Sequence, residues 1–108
     1  MTSSFLATLT RMFAEALERP SFGVTESFFA AGGDSLTAAG ILSRIEEELG
    51  VELLYRDFLE APSPAQLGLT LLRESARKRG GDLVSEISSL SAEDAAVLLT
   101  QLKARRQT

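Results

Sequence analysis

The chain has 108 residues, 44% of them hydrophobic and 24% charged, and a formal net charge of −4. This length allows one domain, and with neither a membrane-length apolar run nor the basic start of a signal peptide we expect a cytoplasmic protein. The sequence contains no Cys and no His, which argues against disulfides, metal sites and a self-contained hydrolase, because the usual ligands and general base are missing.

Helical periodicity is the main secondary-structure signal in the first 80 residues. Apolar residues of the first predicted helix recur every three or four positions, and Pro20 closes it. Gly50 is typical of a helix end, whereas Pro64 after Ser63 is typical of a helix start. The predicted helices are residues 3–18, 35–49, 55–59 and 64–78, and residues 19–34 form a long loop. The predicted core residues are Leu6, Leu9, Phe13, Leu17, Phe28, Ile41, Leu42, Ile45, Leu49, Leu67 and Leu71.

The composition changes after Gly81, so we place a domain boundary at residue 80. One further helix is predicted from about Ala92 to Arg105, and Ser91 with Asp94 forms a capping-box pattern at its start. Its leucine stripe could bind a groove of another protein or fold back on the preceding helices. We expect residues 81–108 to be a mobile linker or docking segment rather than part of the core.

The negative charge is concentrated in the middle of the chain. Residues 24–66 contain eight acidic and two basic side chains. Because phosphate neutralisation needs Lys and Arg, this acidity argues against a nucleic-acid partner. It suits steering toward basic protein surfaces, although charge alone favours the simpler interpretation of a solvated acidic face.

The segment Gly32-Gly33-Asp34-Ser35 contains the residues that could take part in a reaction. The glycine pair permits a tight turn and a close approach by another molecule, and Asp34 is a good N-cap residue. Ser35 then falls at the first helical position, where its hydroxyl can face solvent beside free backbone N–H groups and the positive end of the helix dipole. Taken alone, these four residues are explained equally well as a simple helix start.

A longer pattern around this turn resembles a known family. ESFFAAGGDSLTAAGILSRIEEELGVEL, residues 26–53, followed by APSPAQLG, residues 61–68, is similar to the carrier domains of nonribosomal peptide synthetases, also called peptidyl carrier or thiolation domains. The resemblance covers roughly residues 4–78. It implies an all-α fold, a four-helix carrier-protein bundle whose third helix is short, and here an additional C-terminal helix follows.

The resemblance also implies the role of each motif residue. Ser35 would bear a covalent 4′-phosphopantetheine arm, transferred from coenzyme A by a separate transferase that uses Mg²⁺. Asp34 would contact that transferase, Leu36 would belong to the recognition surface, and Gly32 and Gly33 would support the turn. The domain itself would catalyse nothing and would bind no metal or membrane.

The implied partners are enzymes that load and unload the arm. They are the phosphopantetheinyl transferase, an adenylation enzyme that charges the terminal thiol with an aminoacyl or acyl group, and condensation, tailoring or thioesterase domains. We expect a monomer.

The predicted partner surface lies on the small-residue side of the second helix, at Leu36, Ala39, Gly40 and Ser43. Ala39 and Gly40 stand where many relatives carry larger or charged residues. A mid-helix glycine costs roughly 1 kcal/mol relative to alanine. Gly40 either permits close approach of a partner or is neutral, and both interpretations stay open.

Three alternatives compete with the peptidyl carrier hypothesis. Gly-Asp-Ser-Leu is also the nucleophile motif of a hydrolase family, but those enzymes need a catalytic His and a larger α/β scaffold. Acyl carriers of polyketide or fatty-acid synthesis usually lack the glycine pair, so Gly32 and Gly33 favour the peptidyl type. An unmodified helical docking module is the third alternative.

Overall fold

A computed structural model of the chain describes residues 4–106. Within this part, the structure contains six helices and no strand, which confirms the all-α prediction. No helix in the described part is long and apolar enough to cross a membrane. The helices are α1 (Phe5–Ala16), α2 (Ser35–Leu49), α3 (Tyr55–Glu60), α4 (Pro64–Arg79), α5 (Leu83–Ser88) and α6 (Ala92–Arg106).

Local capping chemistry sets the bounds of these helices. The Ser4 hydroxyl accepts a hydrogen bond from the Ala7 N–H at 3.0 Å at the start of α1, and Ser63 caps α4 ahead of Pro64. Gly50 ends α2 with a φ of 70°, a left-handed conformation that favours glycine. Because these signals are local in sequence, the four predicted helices before residue 80 agree closely with the observed ones.

Ion pairs define how α1 and α2 lie against each other. Arg44 Nη1 of α2 lies 2.8 Å from Glu15 Oε1 near the end of α1. Arg11, one turn earlier in α1, lies 4.0 Å from Glu48 near the end of α2. The two helices therefore run antiparallel, and the start of α2 lies at the same end of the bundle as the end of α1.

Phenylalanine rings form the centre of the core. Phe13, Phe28 and Phe58 are fully buried, and the centroids of the Phe28 and Phe58 rings are 5.0 Å apart in an edge-to-face arrangement. The predicted core residues are buried except Leu17, Leu42 and Leu49, which are only half-buried. Leu17 follows the last residue of α1 and Leu49 ends α2, where a helix face no longer meets its neighbour.

The C-terminal segment packs on the bundle. A Cβ added at Gly68 in α4 would lie 3.2 Å from Leu6 of α1 and 3.4 Å from Leu98 of α6, so three helices meet at this glycine. Ile87 and Leu98 are buried in the same core, whereas Leu99 is partly exposed. Residues 83–106 thus hold two helices where one was predicted, and they are packed where a mobile linker was expected. The boundary at residue 80 and a docking role for this segment stay predictions.

Candidate functional site

Ser35 is the first residue of α2, and its side chain is exposed. Gly32, three residues earlier, has a φ of +102°, which a residue with a Cβ rarely adopts. This turn carries the chain out of the loop and into α2 within three residues. The result is a hydroxyl presented to solvent at the positively polarised end of a 15-residue helix.

Asp34 caps the helix that begins at Ser35. Its Oδ1 accepts a hydrogen bond from the Thr37 N–H at 2.9 Å, as the sequence predicted for an N-cap aspartate. Hydrogen bonds from the Thr37 backbone and then from its side chain lower the pKa of Asp34 below its ordinary value. Asp34 is therefore an anion at neutral pH beside the Ser35 hydroxyl.

Phe28 supports the turn from below. A Cβ added at Gly33 would lie 2.2 Å from Cε2 of the Phe28 ring, so no other residue fits there without movement. The Gly33 N–H donates to the Phe28 carbonyl at 2.9 Å, and the Phe28 N–H donates to the Pro62 carbonyl at 2.8 Å. The turn before Ser35 thus rests on a ring that is itself fixed in the core.

A second contact holds the loop that precedes the turn. Both oxygens of the Glu26 carboxylate pair with the Arg19 guanidinium, and Oε1 accepts the Gly23 N–H at 2.9 Å. The hydrogen bond from Arg19 is the main reason that the pKa of Glu26 lies below its ordinary value. The Arg19 guanidinium also lies 5.0 Å from the centroid of the Phe22 ring. These contacts restrain the long loop between α1 and Ser35.

The residues of the predicted partner surface are exposed, but they lie on two different sides of α2. Leu36 is 80% exposed, and Ala39, Gly40 and Ser43 are also exposed. Ala39 and Ser43 line a shallow groove of about 260 Å³ toward Leu53. Gly40 lines a different groove, on the side of α2 that faces α1.

An apolar surface on α3 and the residue before it was not predicted from the sequence. Leu54 is 56% exposed and Leu59 is 50% exposed, and Tyr55 is partly exposed as well. All three flank Phe58, which is fully buried. A six-residue helix has too few positions for its period to reveal which apolar residue points inward, although the excess of apolar residues in Leu53–Leu59 was a usable signal.

Comparison with known proteins places these residues in a family. The family model described as a phosphopantetheine attachment site matches residues 7–71. A dimodular nonribosomal peptide synthase of Bacillus subtilis is 46% identical over 59 residues, which are 55% of this chain and 2% of that protein. The chain spans 1% to 2% of the length of the first curated relatives that it matches.

Two solved structures share the fold. One is a type-II acyl carrier protein, BlmI of Streptomyces verticillus, involved in bleomycin biosynthesis, with 36% identity, a TM-score of 0.57, and coverage of 59% of this chain and 77% of that one. The other is a nonribosomal peptidyl carrier protein domain with 29% identity, a TM-score of 0.54, and coverage of 63% and 87% respectively.

Proposed function

Because the chain belongs to the family that carries a phosphopantetheine attachment site, we propose that Ser35 is the residue to which the arm is attached. The chain is a peptidyl carrier domain of the nonribosomal peptide synthetase type, and members of its family are carriers without catalytic activity of their own. The observation that carries the assignment to Ser35 is its exposed position at the first residue of α2, within the matched residues 7–71.

In the attachment reaction, the carrier contributes only the hydroxyl group of Ser35. The Ser35 hydroxyl oxygen attacks phosphorus in the pyrophosphate of coenzyme A and forms a phosphodiester, and adenosine 3′,5′-bisphosphate leaves. The hydroxyl proton passes to a base on the transferase, since the chain has no His. The new negative charge lies at the N-terminus of α2, where the helix dipole favours an anion.

The attached arm supplies the thiol that holds the cargo. The chain has no Cys, so an aminoacyl or acyl thioester forms on the terminal thiol of the phosphopantetheine. An adenylation enzyme charges this thiol, and condensation, tailoring or thioesterase partners remove the acyl group. Coenzyme A supplies the arm in the cytoplasm, and we place the loading reaction there, on a monomeric carrier.

We infer that exposed apolar residues at the start of α2 and around α3 form the surface on which these partners dock. Leu36 follows Ser35 directly, and Leu54 and Leu59 lie at the short helix packed against α2. Clusters of large, exposed apolar side chains mark interaction sites. Glu46 and Glu52 line the adjoining groove, which suits a partner with a basic rim.

Intact mass measurement tests the attachment to Ser35. The purified chain is incubated with coenzyme A, Mg²⁺ and a broad-specificity phosphopantetheinyl transferase. We expect a gain of one phosphopantetheine, mapped to the peptide that contains Ser35, and no gain for Ser35→Ala. Ser88→Ala is the control, because Ser88 is an exposed serine on α5, outside the residues that the family model matches, and we expect it to load like the unchanged chain.

The outcomes separate the hypotheses. A folded wild-type chain that gains no mass would contradict the carrier function and leave an unmodified docking module. A Ser35→Ala variant that still gains the arm would show that another residue is the attachment site. Circular dichroism of each variant verifies that its fold is intact.

A further inference from the structure

Thr37 closes the first turn of α2 through its side chain. Its Oγ1 accepts a hydrogen bond from the Asp34 N–H at 3.0 Å, while its own N–H donates to Asp34 Oδ1 at 2.9 Å. The two residues form a reciprocal capping box around Ser35 and Leu36. In the usual box the third helical residue is Glu or Gln, whereas here it is a threonine.

Among the described residues, the Thr37 hydroxyl bonds only within this turn. As a donor, it lies 2.9 Å from Asp34 Oδ1 and 3.0 Å from the Asp34 carbonyl oxygen. All hydrogen bonds of the Thr37 side chain to described residues thus involve Asp34. Its methyl group is independent of these bonds, and the residue is half-buried at the edge of the groove that Gly40 and Ile41 line.

The box determines where α2 begins, and hence where the Ser35 hydroxyl lies. The first N–H groups of a helix have no intrahelical partners, so the first turn frays when its cap is lost. Asp34 N–H is one of these groups, and the Thr37 hydroxyl is its partner. Removing the hydroxyl leaves the Asp34 N–H without this partner, and we expect the first turn, which contains Ser35, to fray more often.

The same contacts hold the Asp34 carboxylate in place. A phosphodiester on Ser35 puts a second negative charge next to this carboxylate, which raises the cost of modification. The Thr37 N–H and hydroxyl both lie within hydrogen-bonding distance of Oδ1, so they keep that oxygen over the helix terminus and partly neutralise it.

We propose that Thr37 is a positioning residue for the modification of Ser35, acting through its hydroxyl and the Asp34 cap. This inference rests on the proposed function of Ser35. It predicts that the rate of attachment depends on an oxygen that never touches coenzyme A.

Thr37→Val tests the inference, because valine keeps the shape of the side chain and replaces the hydroxyl with a methyl group. The loading reaction with coenzyme A, Mg²⁺ and a transferase is followed under steady-state conditions, well below the unfolding temperature of each variant. We expect kcat/KM for the carrier to fall about two- to tenfold, the factor that corresponds to the net contribution of one hydrogen bond. Thr37→Ser, which restores the hydroxyl, regains most of the rate.

Thr8→Val is the matched control. Thr8 donates its hydroxyl to the Ser4 carbonyl in the first turn of α1, and the antiparallel arrangement of α1 and α2 puts it toward the opposite end of the bundle from Ser35. This variant loses a comparable hydrogen bond within a helix, and we expect its loading rate to equal that of the unchanged chain.

Each outcome decides the inference. Equal rates for Thr37→Val and the unchanged chain overturn it and leave the proposed function intact. Equal losses in Thr37→Val and Thr37→Ser also overturn it, since the hydroxyl is then not the cause. An unchanged chain that takes up no arm refutes the proposed function and the inference with it.

Discussion

The carboxylate of Asp94 in α6 accepts a hydrogen bond from the backbone N–H of Leu6 in α1, with Oδ2 3.2 Å from the amide nitrogen. Leu6 lies in the first turn of α1, whose N–H groups lack intrahelical partners. Asp94 is 6% exposed, so this bond is shielded from water. Ser91 forms one of the two hydrogen bonds of the predicted capping box, because its hydroxyl accepts the Asp94 N–H at 3.3 Å. The Asp94 side chain does not complete the box but accepts the hydrogen bond from α1 instead.

Replacing Asp94 by alanine tests the contribution of this contact to stability. The change leaves the Leu6 N–H without its buried acceptor, and we expect the free energy of unfolding to fall by about 1–3 kcal/mol. Glu93→Ala is the control, because Glu93 is exposed in the same helical turn, and such surface changes usually stay within about 0.5 kcal/mol. Urea denaturation measures both. Equal effects of the two variants would mean that α6 is not anchored through Asp94.

Gly33→Ala tests the support beneath Ser35. The added methyl overlaps the Phe28 ring, and overpacking of a well-filled core typically costs about 1–3 kcal/mol. Gly40→Ala is the matched control, since a Cβ at Gly40 meets no atom within 4 Å, and there alanine stabilises the helix by up to about 1 kcal/mol. Thermal unfolding compares the two. A neutral Gly33→Ala would show that Phe28 moves aside at little cost.

Leu36→Ala tests the proposed docking surface. Leu36 is 80% exposed and contributes little to folding, so we expect an unchanged melting temperature. Loss of apolar contact with the transferase raises KM for the carrier, while kcat changes little, as expected for an interaction made equally in the ground and transition states. Val84→Ala removes a similarly exposed apolar side chain on α5 and leaves KM unchanged. Equal KM values for Leu36→Ala and the unchanged chain would exclude Leu36 from the surface.

The ion pair between Arg19 and Glu26 predicts a pH dependence of stability. The pKa of Glu26 is lower in the folded chain than its ordinary value because Arg19 and the Gly23 N–H hydrogen-bond to its charged form. The unfolded chain therefore binds the proton more readily. The stabilisation is complete above the unfolded pKa of about 4.3 and is lost as the pH falls through the lower folded value.

Glu26→Gln removes this dependence. We expect the difference in free energy of unfolding between the unchanged chain and the variant to be constant near neutral pH and to shrink as the pH is lowered toward 3. Chemical denaturation at a series of pH values measures it. A difference that stays constant over the whole range would show that the carboxylate charge at Glu26 does not stabilise the loop.

Much of the carrier core could be predicted from sequence because its signals are local. Asp34 and Ser35 form the start of α2 through bonds within one turn, and Gly50 ends that helix by its own backbone conformation. Helix periodicity likewise depends on residues three and four positions apart. Chain order alone was therefore enough to place an exposed serine at a helix N-terminus.

Short or weakly periodic elements escaped this reasoning. Helix α5 has six residues, fewer than two turns, and its serines and acidic residues resemble a loop. For α6, the leucine stripe was recognised, but nothing in its order distinguished a face bound to another protein from one bound to its own bundle. Leu98 is buried and its neighbour Leu99 is exposed because of where α4 packs against α6.

The sequence by itself determined an all-α chain with Ser35 capped by Asp34 at the start of its second helix. The tertiary structure alone decided why Gly33 must lack a side chain, which apolar residues of α3 are exposed, and that Asp94 reaches Leu6 across 88 positions of the chain. The physical reason is range: capping and periodicity act within about four residues, whereas steric contact and burial depend on which distant segments pack together.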